Sequence, residues 1–62
     1  MLALRRLREK RGLTLCELAQ MVGVTPGAVS HWETGRRKIG LDDAAKIARA
    51  LGCTVDDLLV EE

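Results

Sequence analysis

The 62-residue chain has no phenylalanine and no tyrosine, and Trp32 is its only aromatic residue. A stacking platform for single-stranded nucleic acid needs several rings, so that mode of binding is excluded. Long apolar runs are also missing. The longest, Met1 to Leu4, is far too short for a membrane span or a signal-peptide core. With no export signal and no membrane segment, the expected compartment is the cytoplasm. Cys16 and Cys53 make no disulfide framework there, and they lack the paired spacing of a zinc site. They read as small apolar filler or partly exposed thiols. The single histidine, His31, has no carboxylate or cysteine set around it in sequence, and its adjacency to Ser30 means nothing for a triad, which is defined in space. A chain this short leaves little room for a pocket. We therefore expect no catalytic residue, no metal, no cofactor and no small-molecule substrate.

What is present suits one small helical unit. An apolar share of 47%, nearly all of it aliphatic, is enough for a single core, and the length allows a single domain, residues 1–62. The net charge of +1 conceals an asymmetry: residues 1–40 carry eight basic and three acidic side chains, residues 41–62 two basic and six acidic. The first part could face a polyanion while the second keeps the chain near neutral.

Five helices can be placed from their punctuation, and no segment alternates with a period of two long enough to make a strand. The first is expected from Leu2 to Lys10, with Leu4 and Leu7 on one face and Gly12 as its stop. Thr14 and Glu17 form a capping box at the start of the second, which carries Leu15, Leu18, Ala19 and Val22 at inward-facing spacing and stops at Gly23. Thr25 and Pro26 open the third, where Val29 and Trp32 face inward and Gly35 ends the run. After the basic loop Arg36-Arg37-Lys38, the fourth spans Leu41 to Leu51, with Leu41, Ala44, Ile47, Ala48 and Leu51 inward and Asp42 and Asp43 in its first turn. Thr54 caps a short fifth helix carrying Val55, Leu58 and Leu59.

The second and third helices, about 15–34, are joined only by Gly23-Val24. So tight a turn sets two short helices at a steep angle. Ala19 is small enough for close backbone approach, Gly23 tolerates positive φ, and Leu18, Val22, Val24, Val29 and Trp32 supply apolar inner faces. The third helix then projects outward, with a width that suits the DNA major groove.

On these residues the chain resembles the lambda and 434 repressor/Cro family, also called the XRE family. The resemblance runs through Leu4-x-x-Leu7-Arg8-x-x-x-Gly12-Leu13-Thr14, Glu17-Leu18-Ala19-x-x-Val22-Gly23-Val24-Thr25 and Ser30-x-Trp32-Glu33-x-Gly35-Arg36-Arg37, and on to Ala48-x-x-Leu51-Gly52 and Asp56-x-Leu58-Leu59. It implies an all-α, compact five-helix bundle of the lambda repressor type. It also implies double-stranded DNA binding through the third helix, and pairing as a homodimer on a two-fold site. Pro26, Gly27, Ala28, Ser30 and His31 take the base-facing positions, with Ser30 and His31 as the polar readers. Thr14, Leu15, Thr25, Arg36, Arg37 and Lys38 take the phosphate-facing ones, Leu15 standing where many relatives carry a glutamine. Arg8 and Glu33 pair across the first and third helices and, with Ala19, Gly23, Val29 and Trp32, hold the motif together. The resemblance implies a mainly structural pair that would orient Arg8 toward a phosphate while fixing the third helix; an ordinary surface pair would contribute only about 0–1 kcal/mol.

Two functions compete at this point. One is a sequence-specific regulator, a repressor or an antitoxin-type autoregulator. The other is a protein-interaction module that keeps the fold with weak or no DNA recognition, suggested by the bare stretch Pro26-Gly27-Ala28, the apolar Leu15 and the acidic second part. Leu58, Leu59 and Val60 are shared between sealing the core and a pairing surface.

Overall fold

A computed structural model describes residues 2–62; Met1, the first residue of the expected domain, lies outside them. Five helices follow in order: α1 (Leu4–Lys10), α2 (Leu15–Val22), α3 (Pro26–Thr34), α4 (Leu41–Leu51) and α5 (Val55–Leu58). Their ends follow local chemistry. The Thr14 hydroxyl accepts the Glu17 N–H at 3.0 Å while the Glu17 carboxylate accepts the Thr14 N–H at 2.9 Å, so two otherwise orphaned donors are satisfied at the start of α2. Thr25 caps α3 by accepting from Ala28 N–H, and Pro26 occupies a helical position where no N–H is missed. Thr54 and Asp57 repeat the reciprocal cap on α5. The glycine stops expected at 12, 23, 35 and 52 all have positive φ.

The helices close around Leu4, Leu18, Val29, Ile47 and Leu58, which are fully buried. Helix α2 is central, packing against both α3 and α4, and α4 carries α5. Between α2 and α3 the chain turns at Gly23 with φ +76°, and the Val24 N–H donates back to the Ala19 carbonyl at 3.0 Å. Ala19 is 1% exposed at that approach.

Three expectations are corrected. Helix α1 begins at Leu4, not Leu2: the Ala3 N–H donates to the Val60 carbonyl at 2.8 Å and Leu2 forms an isolated antiparallel bridge with Glu61, so the chain ends are tied together before α1 starts. That bridge is the one β-type pairing among the described residues, and an outlying ion pair, Arg6 to Glu62 at 2.7 Å, lies on the same seam. Leu41 does not face inward but is 75% exposed. It occupies the first position of α4, where the Cα–Cβ bond tilts toward the helix start and carries the side chain past the edge of the core. Leu59 lies outside α5, which ends after one turn at Leu58, and is left mostly outside the core. Leu15, expected inward, is half-buried against the core's edge.

The turn at Gly23 gives a direct test. A Cβ there would meet no neighbouring atom, so only the left-handed backbone opposes a side chain. Gly23→Ala is expected to lose about 1–2 kcal/mol of folding stability, read from urea denaturation; an unchanged midpoint would remove the backbone argument.

Candidate nucleic-acid interface

Helix α3 divides its residues between two environments. Val29, Trp32 and Glu33 are buried; Pro26 and Gly27 are exposed; Ser30 and His31 are half-buried. The Ser30 and His31 side chains make no hydrogen bond within the described residues, so their polar atoms remain available to a ligand. Their backbone carbonyls are used: the Thr34 hydroxyl donates to the Ser30 carbonyl at 3.0 Å, and the Arg37 N–H donates to the His31 carbonyl at 3.2 Å. The second bond folds the basic loop back onto the end of α3. Arg36, Arg37 and Lys38 are exposed there and form no ion pair among the described residues.

Gly27 is not required by the fold. It has ordinary helical backbone, and an added Cβ would find open space. A glycine that costs helix stability and relieves no internal clash leaves the surface low enough for another molecule's backbone to come close. Ala28 is half-buried and packs against the core, so only part of its methyl group remains outward.

The two helix starts differ. At α3 the first turn holds no acidic residue, and Thr25 is exposed. At α2 the Glu17 carboxylate occupies the cap beside Thr14, placing a negative charge where a phosphate was expected. Helix α3 is therefore the better anion-facing start of the two. Helix α4 opens from Gly40 with no side-chain cap, but Asp42 and Asp43 in its first turn oppose an anion there.

The Arg8–Glu33 pair is buried. The side chains are 10% and 5% exposed, Arg8 Nε donates to Glu33 Oε2 at 2.6 Å, and Arg8 Nη2 donates to Oε1 at 3.3 Å. Nη1 donates to the Leu13 carbonyl at 2.7 Å. The guanidinium is engaged on all three nitrogens, which turns it inward rather than toward a phosphate. Hydrogen bonding to Glu33 raises the Arg8 pKa above the ordinary arginine value, against the opposing effect of burial, so the guanidinium stays charged. The Leu13 contact had no signal in the sequence, because any residue offers a carbonyl.

Among the described residues no three His, Cys, Asp or Glu side chains gather closely enough for a metal ion. Burial, then Asp57, pushes the Cys53 thiol up, which keeps it protonated and a poor nucleophile. Among the described residues no helix is long and apolar enough to cross a membrane.

A helix-turn-helix family model matches residues 4–58. The chain belongs to the Cro/C1-type (XRE) helix-turn-helix family. Solved structures agree with this placement. The clp gene regulator ClgR of Corynebacterium glutamicum is 42% identical, with a TM-score of 0.84 over 89% of this chain and 58% of that one. The P22 c2 repressor, solved with a synthetic operator, is 30% identical, with a TM-score of 0.86 over 95% of this chain and 89% of that one. An HTH-type transcriptional regulatory protein of Thermococcus kodakarensis is 41% identical over 44 residues, 71% of this chain and 14% of its own length. A hydroxypropylphosphonic acid epoxidase of S. wedmorenis is 31% identical, with a TM-score of 0.83 over 92% of this chain but only 30% of that one. The chain thus spans little more than half of ClgR and a small part of the Thermococcus protein.

Removing either partner of the Arg8–Glu33 pair strands a buried charge. Arg8→Ala and Glu33→Ala are each expected to cost about 3–5 kcal/mol in a thermal melt, whereas the apolar double variant Arg8→Met/Glu33→Leu recovers most of it. Arg8→Lys should fail to rescue, since an ammonium cannot reproduce the bidentate fork; losses below about 1 kcal/mol would return the pair to the surface class.

Proposed function

We propose that this XRE domain binds double-stranded DNA as a transcriptional regulator of the repressor or antitoxin-type kind, with α3 in the major groove. The observation that carries the reading is the pairing of a half-bare α3 with an unpaired basic loop bonded to its end. Ser30 and His31 reach base edges. Pro26 and Gly27 let the groove wall come close, and what remains outward of the Ala28 methyl can meet a thymine methyl. Arg36, Arg37 and Lys38 hold phosphates beside the groove, with Thr25 and the start of α3 as a backbone anion site; Thr14 and Leu15 are lesser members of the set, since the Glu17 carboxylate sits on the Thr14 N–H.

With only two polar readers, affinity rests on phosphate contacts, and specificity leans on DNA shape and on the spacing of two paired copies. A homodimer follows from the same shortage: one α3 covers a short site, and a two-fold pair doubles the contacts. The 1–62 chain acts as one DNA-binding unit whose role is binding and not catalysis, and it works in the cytoplasm. The competing reading, a protein-interaction module, draws support from the bare start of α3. It is disfavoured by three unpaired cations at the end of that same helix.

Titration of duplex DNA at several salt concentrations separates the two. The Arg36→Ala/Arg37→Ala variant is expected to weaken all sequences alike and to flatten the salt dependence by about two logarithmic units per decade. His31→Ala is expected to change sequence preference more than overall affinity. Binding by the double variant that matches the parent chain would refute the loop assignment. A parent chain that ignores duplex DNA at low salt would favour the interaction module.

A further inference from the structure

The last turn of α2 and the second half of α4 border an open groove of about 560 Å³. Its apolar surface comes from Met21, Val22 and Ala50, and its charge from Lys46 and Arg49 alone, with no acidic residue in the lining. Met21 is 56% exposed, one of four large apolar side chains left in solvent among the described residues. Lys46 and Arg49 are exposed and stand three apart on α4, hence on one face of it. Neither forms an ion pair among the described residues, although Asp42 lies one turn before Lys46. By contrast, Arg5, Arg6 and Arg8 on α1 each hold a glutamate. The α4 dipole favours a cation in the last turn, which accounts for Arg49, but Lys46 lies before that turn.

We propose that this groove docks an acidic segment of a partner protein. One bulky apolar side chain of that segment rests on Met21, and its carboxylates meet Lys46 and Arg49. Complementarity of charge and of surface selects this occupant. Two unpaired cations with no acid beside them favour an anionic ligand. The exposed thioether narrows the choice to an anionic ligand that also carries an apolar group. A methionine side chain is flexible and polarisable, so it adapts to an apolar side chain of no fixed shape. Duplex DNA is the poorer fit, because its affinity is built from many phosphate contacts and this groove offers two cations. The groove also lies at the far end of α2 from the phosphate-facing Thr14. Met21 is seven residues further on, about 10 Å along the helix. A domain seated on a duplex through α3 and the basic loop therefore keeps the groove open. The docking goes beyond the DNA-binding reading and does not depend on it.

Fluorescence anisotropy of a labelled synthetic peptide, with glutamates flanking a pair of leucines, tests this by titration with the whole chain at low salt. The parent chain is expected to bind the peptide with a Kd below about 1 mM. Lys46→Ala/Arg49→Ala should weaken binding by about fivefold or more, and Met21→Ser by about threefold or more. All three positions are exposed, and alanine suits a helix, so far-UV melting should stay close to the parent. Duplex binding by these variants should also be unchanged. A peptide with serines in place of the leucines, and one with lysines in place of the glutamates, should each bind about threefold or more weakly than the first. A parent chain that ignores the acidic peptide at about 1 mM overturns the proposal, as do groove variants that bind it like the parent. Equal binding of the serine peptide would reduce the groove to a general polyanion surface and overturn it as well. So would a loss of duplex binding in the groove variants, which would assign the groove to DNA, or a loss of self-association, which would assign it to a second copy. Because the peptide titration contains no DNA, its failure leaves the DNA-binding reading untouched.

Discussion

The arrangement of this small domain depends on one buried ion pair. Arg8 gives α1 a fork that grips Glu33 on α3 and the Leu13 carbonyl in the loop before α2. Three chain segments are held by one guanidinium, each through a directional bond. Such a pair adds little net stability over a well-packed apolar substitute, because desolvating two charges offsets their attraction. Its contribution is orientation. An apolar contact would tolerate rotation of α3 about its axis, whereas a bidentate carboxylate does not. The uncovered part of α3 is thereby held outward, and the Ser30 and His31 side chains make no hydrogen bond within the described residues.

Function builds on that orientation through contrast along α3. Its start is bare, with Pro26 and Gly27 contributing shape but no side-chain donor. Its end is charged, because the backbone bond from Arg37 to His31 brings the loop back beside the helix. Shape at one end and charge at the other suit a ligand that is both contoured and polyanionic. The acidic second part of the chain contributes differently: Asp42 and Asp43 sit in the first turn of α4, and Asp56 and Asp57 in that of α5, where the helix dipole favours them. Much of the charge asymmetry is thus local helix chemistry.

Most of the fold was legible because its signals are short-range. Thr14 with Glu17, Thr25 with Pro26, and the glycines after each apolar segment act within a turn of chain, and they fall where the helices begin and end. What escaped was long-range. Nothing near Leu2 announces that it will bridge to Glu61, so the run Leu2 to Leu4 read as helix. Leu41 fits the apolar period of α4, but period does not say where the core stops. The candidate interface was legible in part. The basic loop and the outer residues of α3 could be named from spacing and from resemblance to relatives. The depth of Arg8 and Glu33 could not, since a surface pair and a buried pair have the same residues at the same separation. The anion at the start of α2 was readable from Glu17 in the capping box, yet its consequence for a phosphate appears only once the carboxylate is seen on the Thr14 N–H.

The central claim is that α3 and the loop after it form the face that meets duplex DNA. Amide chemical-shift mapping of the ¹⁵N-labelled chain, titrated with a duplex, tests it most directly. The account expects the large shifts at Gly27, Ser30, His31 and Arg36 to Lys38, with Met21, Lys46 and Arg49 on the α2–α4 side little changed. Shifts concentrated on that α2–α4 side, with α3 and its loop silent, would contradict it.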